Sequence, residues 1–136
     1  MAVEIDVEYV GDLHCRATHG PSQATLTTDA PVDNGGKGEL FSPTDLVAAG
    51  LGTCVLTVMG LVARRKGFDL TGTRVHVSKE MTATGTRRIG RLTAIVTLPS
   101  ALDLSSEHRA LIEKTAHTCP VHQSLHPDVV VEIRFA

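Results

Sequence analysis

The sequence of 136 residues has few aromatic side chains and no strongly basic segment. Aromatic residues make up 3% of it and Trp is absent, so a surface that stacks on bases or sugar rings is disfavoured and the core must be aliphatic. The formal net charge is −2, and no basic patch for nucleic acid or an anionic membrane is visible. With 42% hydrophobic and 21% charged residues, the composition is that of a folded domain.

Cysteine is also scarce, and no export signal is visible. Three cysteines are too few for a secreted disulfide scaffold. The first residues carry Glu4, Asp6 and Glu8 where a signal peptide has a basic start and an apolar block, so we expect a cytoplasmic protein. The 18 uncharged residues from Leu46 to Ala63 reach the lower limit for a membrane span, but three glycines interrupt them and we predict a buried helix. The length predicts one domain over residues 1–136.

Apolar and polar residues alternate in several segments, which is typical of strands with one face in a core. The clearest segment is Val3 to Tyr9. Similar but mostly weaker patterns lie at about residues 12–18, 23–28, 75–81, 92–98 and 129–135. One-sided strands predict antiparallel or mixed sheets, and the close spacing of the first three segments predicts a meander.

Two helices are predicted between the strands, which makes the fold class α+β. Ser42 to Asp45 offer an N-cap serine, a proline at the first helical position and an acid three residues after the cap. This first helix should end near Lys66, before a glycine. A second helix is predicted from Ser105 or Ser106 to about Thr118, because Pro120 prevents its continuation.

Two cysteines lie on the inward faces of these helices. Cys54 is in the middle of the apolar helix, and Cys119 comes 65 residues later at the end of the second helix. A buried cysteine is most often inert packing, and this interpretation applies to Cys54 taken alone. Two core-facing thiols on two helices, however, can meet. Cys15 precedes Arg16 on a predicted strand, so their side chains point to opposite faces, and we interpret Cys15 as a packing or surface thiol.

Two separated motifs give the sequence a family resemblance. Phe41 to Leu46, an Ala/Gly-rich stretch that leads to Cys54, and later Cys119-Pro120-Val121-His122 before a final apolar strand resemble the signature of the OsmC/Ohr family. The match covers nearly the whole chain in order. It implies an OsmC-like fold, with antiparallel or mixed sheets around a long buried central helix and a shorter second one. It also implies an intertwined homodimer, with two active sites at its interface, that reduces hydroperoxides, preferably organic ones, with its thiols.

By this resemblance Cys54 is the peroxidatic nucleophile and Cys119 is the resolving thiol. The Cys54 thiolate attacks the peroxide O–O bond and becomes a sulfenic acid, which Cys119 converts into a disulfide. An external dithiol, typically lipoyl-linked in the family, reduces the pair again. The expected partners are therefore a second subunit, an organic hydroperoxide and a dithiol. No cofactor, metal ion, nucleic acid or membrane is expected.

A thiolate in an apolar site needs a positive charge or a hydrogen-bond donor nearby. The Ohr branch pairs an arginine of the N-terminal strands with a glutamate at the start of the long helix. Arg16 is the only arginine before that helix and is our candidate, with a solvated strand residue as the alternative. Thr44 holds the position of the glutamate, ten residues before Cys54, and the nearest carboxylate is Asp45. Because Asp45 and Cys54 are about 13.5 Å apart along a straight helix, either the helix bends or the acid comes from the other subunit.

The residues around Cys54 at helical spacing predict a dry pocket for the organic part of a substrate. The expected pocket residues are Leu51, Thr57, Val58, Leu61 and Thr44. Such a pocket favours alkyl hydroperoxides over hydrogen peroxide.

Other functions stay open at this point. The chain could be a binding or stress protein whose thiols hold a small apolar ligand or fill the core without turnover. The segment with His117, Cys119, His122 and His126 has ligand-type residues at short offsets and could hold zinc or copper, although it lacks a paired ligand motif. Residues 29–41 predict a long loop of the kind that often carries function, but their glycines lack the spacing of a phosphate-binding loop.

Overall fold

The computed structural model describes all 136 residues. The chain forms two compact units, residues 1–46 and residues 47–136, called unit 1 and unit 2 below. The elements are two three-stranded sheets, three α-helices and a single 3₁₀ turn. This confirms the predicted α+β class, whereas a single domain over the whole chain stays a prediction.

Unit 1 contains the predicted meander of three antiparallel strands. Its strands are β1 (Ile5–Gly11), β2 (His14–His19) and β3 (Thr25–Thr28), in the order β1-β2-β3. The tight turn between β1 and β2 places Asp12 and Leu13 at φ values of 53° and 62°. Two consecutive residues of positive φ match the right-handed twist of the strands that flank a two-residue hairpin turn.

The prediction that β1 buries one face is wrong for the single chain. The apolar alternation does place Ile5, Val7 and Tyr9 on one face, but these side chains are 59%, 65% and 64% exposed, and the preceding Val3 is 57% exposed. A three-stranded sheet buries a face only when another layer covers it, and this face is left uncovered. The sequence pattern therefore predicted the strand correctly and its burial incorrectly.

The loop of residues 29–41 is more ordered than its composition predicts. It contains the 3₁₀ turn at Val32–Asn34, and Gly35 and Gly38 adopt φ values of 89° and 65°. A side chain at Gly36 would collide with the carbonyl oxygen of Ala30, so that position requires glycine.

Asp29, at the start of this loop, is 1% exposed. Burial by itself raises the pKa of its carboxyl. The backbone amide of Glu39, the charge that His14 carries when its ring is protonated, and the amides of Ala30 and Lys37 together outweigh burial and hold the pKa below its ordinary value. The loop therefore encloses a buried side chain that stays ionised.

The long helix α1 (Pro43–Lys66) begins with the predicted capping box. The Asp45 amide donates to the Ser42 hydroxyl oxygen at 3.1 Å, and the Ser42 amide donates to Oδ2 of Asp45 at 2.9 Å. These two bonds satisfy backbone donors that a helix N-terminus leaves without partners. The helix ends before Gly67, whose φ is 82°, as predicted.

In unit 2, α1 packs on a mixed sheet formed by β4 (Arg74–Met81), β5 (Ile89–Thr97) and β6 (Val130–Phe135). β4 is antiparallel and β6 is parallel to the central strand β5. A Cβ at Gly52 would lie 3.0–3.1 Å from side-chain carbons of Val75 and Val77, so glycine lets α1 approach the sheet closely.

The core of unit 2 is aliphatic, as the lack of aromatic residues predicts. Its completely buried members include Leu51, Val55 and Met59 at four-residue intervals along α1, together with Leu92 of β5. By length and composition α1 could also cross a membrane, with a mean hydropathy of 2.2 over its most apolar window, of which 33% is buried. One side of α1 packs in this core, while Thr53, Thr57 and Leu61 are exposed, so in the single chain the helix is buried on one side and not all round as predicted.

Two shorter helices complete unit 2, one more than predicted. The helix α2 (Ser106–Ala116) begins with Ser105 as N-cap, whose hydroxyl oxygen accepts a bond from the His108 amide at 3.0 Å. The extra helix α3 (Pro120–Ser124) follows at once. Pro120 ends a preceding helix because it lacks an N–H, but the same property suits the first position of a new one. The prediction used only the first of these two effects.

Candidate active site

Cys54 and Cys119 come from different helices of unit 2. Cys54 lies near the middle of α1, half-buried and packed against the core. Cys119 is completely buried and is the N-cap of α3, so it does not end a helix as predicted. Its Sγ accepts a hydrogen bond from the His122 amide at 3.3 Å. The pair therefore combines one partly accessible thiol with one inaccessible thiol.

Cys54 and Cys119 lie close enough for one thiol to affect the ionisation of the other. Burial raises the pKa of Cys119; the hydrogen bond with Cys54 and the charge of Cys54 raise it further, and the amides of His122 and Val121 oppose these effects. Burial and the neighbouring Cys54 therefore favour the protonated form of Cys119. All three cysteines of the chain are reduced.

The residues expected to form a substrate pocket are in different environments. Leu51 is completely buried in the core, Val58 is partly buried against it, and Thr57 and Leu61 are exposed. Thr44 is half-buried near the helix start, where its hydroxyl oxygen lies 3.3 Å from that of Ser42. A surface cavity of about 450 Å³ lies further along α1, and none of these five residues lines it.

Neither expected partner of the thiolate is brought to Cys54 by the contacts described. Arg16 is exposed in the middle strand of the first sheet, directly opposite Glu8. Asp45 binds the Ser42 amide in the capping box and precedes Cys54 by nine residues on one helix. The carboxylate therefore has a structural function at the helix start. Active roles for Arg16 and Asp45 stay predictions.

The histidine-rich segment does not bring three ligand atoms together. His117 and His126 are exposed and Cys119 is buried, and the structure contains one group of three metal-ligating side chains, elsewhere. That group is His14, Asp29 and Glu39 in unit 1. No motif predicted it, since its members are 15 and 10 residues apart and only the folded loop assembles them. In the histidine-rich segment, Nδ1 of His122 is buried and has no hydrogen-bond partner.

Comparison with known proteins identifies the family. The family model described as OsmC-like protein matches residues 36–134, a range that includes both cysteines of the pair. The chain belongs to the OsmC-like family. No curated protein matches the chain, so the residue roles within this member rest on its own geometry.

Solved structures of OsmC-like proteins share the fold. A protein from Psychrobacter arcticus 273-4, provisionally described as an osmotic stress induced and detoxification response protein, is 41% identical. The match covers 97% of this chain and 94% of that one, with a TM-score of 0.90. The organic hydroperoxide resistance protein OsmC of Legionella pneumophila is 17% identical over 100% and 97% of the two chains, with a TM-score of 0.77. The organic hydroperoxide resistance protein OhrB of Bacillus subtilis is 19% identical over 100% and 98%, with a TM-score of 0.70.

Proposed function

We propose that this OsmC-like protein is a thiol-dependent peroxidase that reduces organic hydroperoxides through Cys54 and Cys119. The observation that carries the proposal is that Cys54 and Cys119, 65 positions apart in the sequence, pack in the same core, near enough for Cys54 to raise the pKa of Cys119. The names of the Legionella and Bacillus structures, both organic hydroperoxide resistance proteins, support the class of substrate.

The reaction runs in three balanced steps. The Cys54 thiolate attacks one peroxide oxygen, the O–O bond breaks, and with one proton the products are an alcohol and a Cys54 sulfenic acid. The Cys119 sulfur then attacks the sulfenic sulfur, and the S–S bond forms as water leaves. An external dithiol, which we propose to be lipoyl-linked, reduces the disulfide by two electrons and is itself oxidised to a disulfide.

The different burial of the two sulfurs assigns their roles. A peroxide must reach the attacking sulfur, and Cys54 is the one with exposed surface. The raised pKa of Cys119 favours its neutral thiol, so Cys119 is the less reactive of the two towards peroxide. Once Cys54 is a sulfenic acid, Cys119 is the thiol in position to attack it.

We also propose that two chains form the working enzyme. Val3 and the β1 residues Ile5, Val7 and Tyr9 are between 57% and 65% exposed, and contiguous exposed apolar side chains are typical of an interaction surface. Leu61 on α1 is another exposed apolar side chain, at 46%. A second subunit would cover such surfaces. Because the thiols must be reduced to react, we place the protein in the cytoplasm.

The decisive experiment maps disulfides after the reduced protein receives one equivalent of cumene hydroperoxide. We expect loss of two thiols per peroxide, one cumyl alcohol released, and a Cys54–Cys119 disulfide in the peptide map. Cys54→Ser abolishes turnover, Cys119→Ser leaves a sulfenic acid that a dimedone probe traps, and the control Cys15→Ser behaves as wild type. Turnover that survives in Cys54→Ser, or a protein that consumes no peroxide, contradicts the proposal and favours a binding protein.

A further inference from the structure

Three side chains with metal-ligating atoms converge in unit 1, apart from the thiol pair. His14 begins β2, Asp29 follows β3, and Glu39 lies ten residues further along the loop. Nε2 of His14 is 3.7 Å from Oδ1 of Asp29 and 4.0 Å from Oε2 of Glu39, and one ligand atom from each residue lies within 4.8 Å of the other two. One nitrogen and two carboxylate oxygens therefore face a common point.

The orientation of His14 is fixed by its other ring nitrogen. Nδ1 lies 2.7 Å from the backbone carbonyl oxygen of Asp12. Because a carbonyl oxygen only accepts hydrogen bonds, Nδ1 carries the proton, and in the neutral ring Nε2 carries the lone pair. This is the arrangement in which metal-binding histidines are held, with one nitrogen donating to a carbonyl and the other free to ligate.

Asp29 is built into the protein so that one oxygen points at the same place. Its Oδ2 accepts the backbone amides of Lys37 and Glu39, each at 3.2 Å. Its Oδ1 is buried and receives no hydrogen bond, and the whole side chain has no exposed surface. A buried carboxylate oxygen without a donor is costly, so a cation that approached Oδ1 would offset this cost.

The net charge around the site favours a divalent cation. Asp12, Asp29 and Glu39 are acidic, and the one lysine beside them, Lys37, has its Nζ 3.3 Å from Oδ2 of Asp12. A histidine ligates a metal through its neutral ring, and with that form of His14 the group carries a formal charge of −2, which one divalent ion balances. Without a bound cation, the loss of hydration opposes the burial of the Asp29 carboxylate.

We propose that His14, Asp29 and Glu39 form a binding site for a divalent first-row transition-metal ion of the zinc type. Imidazole nitrogen and carboxylate oxygen are ligands for such ions, and three protein ligands leave further positions for water. Ligand atoms around a tetrahedral ion with bonds of about 2.1 Å are about 3.4 Å apart, so the observed separations need to contract by less than about 1.5 Å. Glu39, whose side chain is 60% exposed, is free to make this movement.

A protonated His14 that pairs with Asp29 is the competing account, and the distances disfavour it. A charged N–H donor normally approaches a carboxylate oxygen to about 2.7–2.9 Å. The separations of 3.7 and 4.0 Å are too long for either hydrogen bond. They are closer to the spacing of two ligands around an ion than to a direct contact.

The test is a titration of reduced, tag-free, full-length protein with Co²⁺ in the absence of oxygen, followed by absorption. We expect one Co²⁺ per chain, with weak visible bands from nitrogen and oxygen ligands, no thiolate-to-cobalt charge-transfer band, and displacement by an equimolar amount of Zn²⁺. Glu39→Gln and His14→Gln should each weaken binding by at least about 10-fold. A loss of about this size is the smallest expected when a residue that only hydrogen-bonds to a metal ligand is removed, and these two residues would be ligands themselves.

The controls separate this site from other binding. His19→Gln removes a histidine from the same strand, and Glu8→Gln removes an exposed carboxylate from the same sheet; both should bind Co²⁺ as wild type does. Because Glu39 is exposed, its variant should fold normally, and circular dichroism checks this. A thiolate band, or binding that neither Glu39→Gln nor His14→Gln weakens, overturns the proposal, as does the absence of saturable binding.

Discussion

Oxidation of the thiol pair should make the protein more stable, and the size of the effect follows from its position in the chain. The perturbation is conversion of Cys54 and Cys119 to a disulfide by one equivalent of an organic hydroperoxide. Cys54 and Cys119 pack in the same core, and Cys54 already raises the pKa of Cys119 in the reduced protein, so the bond should form without a large rearrangement. The disulfide would then restrict the unfolded chain far more than the folded one.

The magnitude combines one gain and two losses. In the chain-entropy treatment, closing a loop between residues 65 apart stabilises the folded state by about 4.3 kcal/mol at 25 °C. Oxidation removes the interaction between the two thiols and weakens the hydrogen bond from the His122 amide to Cys119, and each loss costs about 1 kcal/mol. The net stabilisation is about 2.3 kcal/mol, which corresponds to a rise in Tm of roughly 8 °C for a chain of this length.

Thermal unfolding by circular dichroism measures this shift on reduced and oxidised samples at one protein concentration, because dimerisation makes Tm depend on concentration. The rise should be present in Cys15→Ser, absent in Cys119→Ser, and reversed by a dithiol. An oxidised protein that carries the mapped Cys54–Cys119 bond but melts at or below the reduced Tm would refute the inference that the two sulfurs are already positioned to join.

Three further predictions concern the core, the helix start and pH. Leu51→Ala should lower the free energy of unfolding by about 3 kcal/mol in urea titrations, because Leu51 is completely buried and the cavity does not refill; a loss below 1 kcal/mol contradicts its core position. Ser42→Ala should cost about 1 kcal/mol, since it removes the acceptor for the Asp45 amide, and Ser42→Asp should recover part of the loss. The folded pKa of Cys119 is raised above its ordinary value of 9.0, so the unfolded thiol ionises first. Stability should be complete below that value and fall as pH rises through the folded pKa, more steeply in reduced wild type than in Cys119→Ser; equal slopes would show that Cys119 does not titrate as inferred.

Sequence patterns correctly predicted the helix ends and strands that are determined by residues close together in the sequence. The start of α1 was predictable because Ser42 and Asp45 satisfy each other's amides over four residues, and its end was predictable because Gly67 adopts a positive φ. The strands followed from alternation. The local signal failed at α3, where Pro120 both ends one helical segment and begins another.

Burial was not local and was predicted less well. The alternation in β1 has the same form as that in the strands of unit 2, yet Ile5, Val7 and Tyr9 are exposed whereas Leu92 and Ala94 of β5 are buried. Whether a strand face is buried depends on a layer from elsewhere in the chain or from another chain, and the strand's own sequence does not contain that information.

The same distinction between local sequence and chain packing applies to the candidate sites. The sequence by itself determined the family, through the motifs around Cys54 and Cys119, and the amphipathic strands and apolar helix that carry them. Tertiary structure alone decided that one of these thiols is accessible while the other is held protonated. It also decided that His14, Asp29 and Glu39 share a point in space. The physical reason is that ionisation depends on burial, and that ionisation and ligation both depend on distances between groups of a few ångströms. Chain packing sets these distances, and no short sequence pattern encodes them.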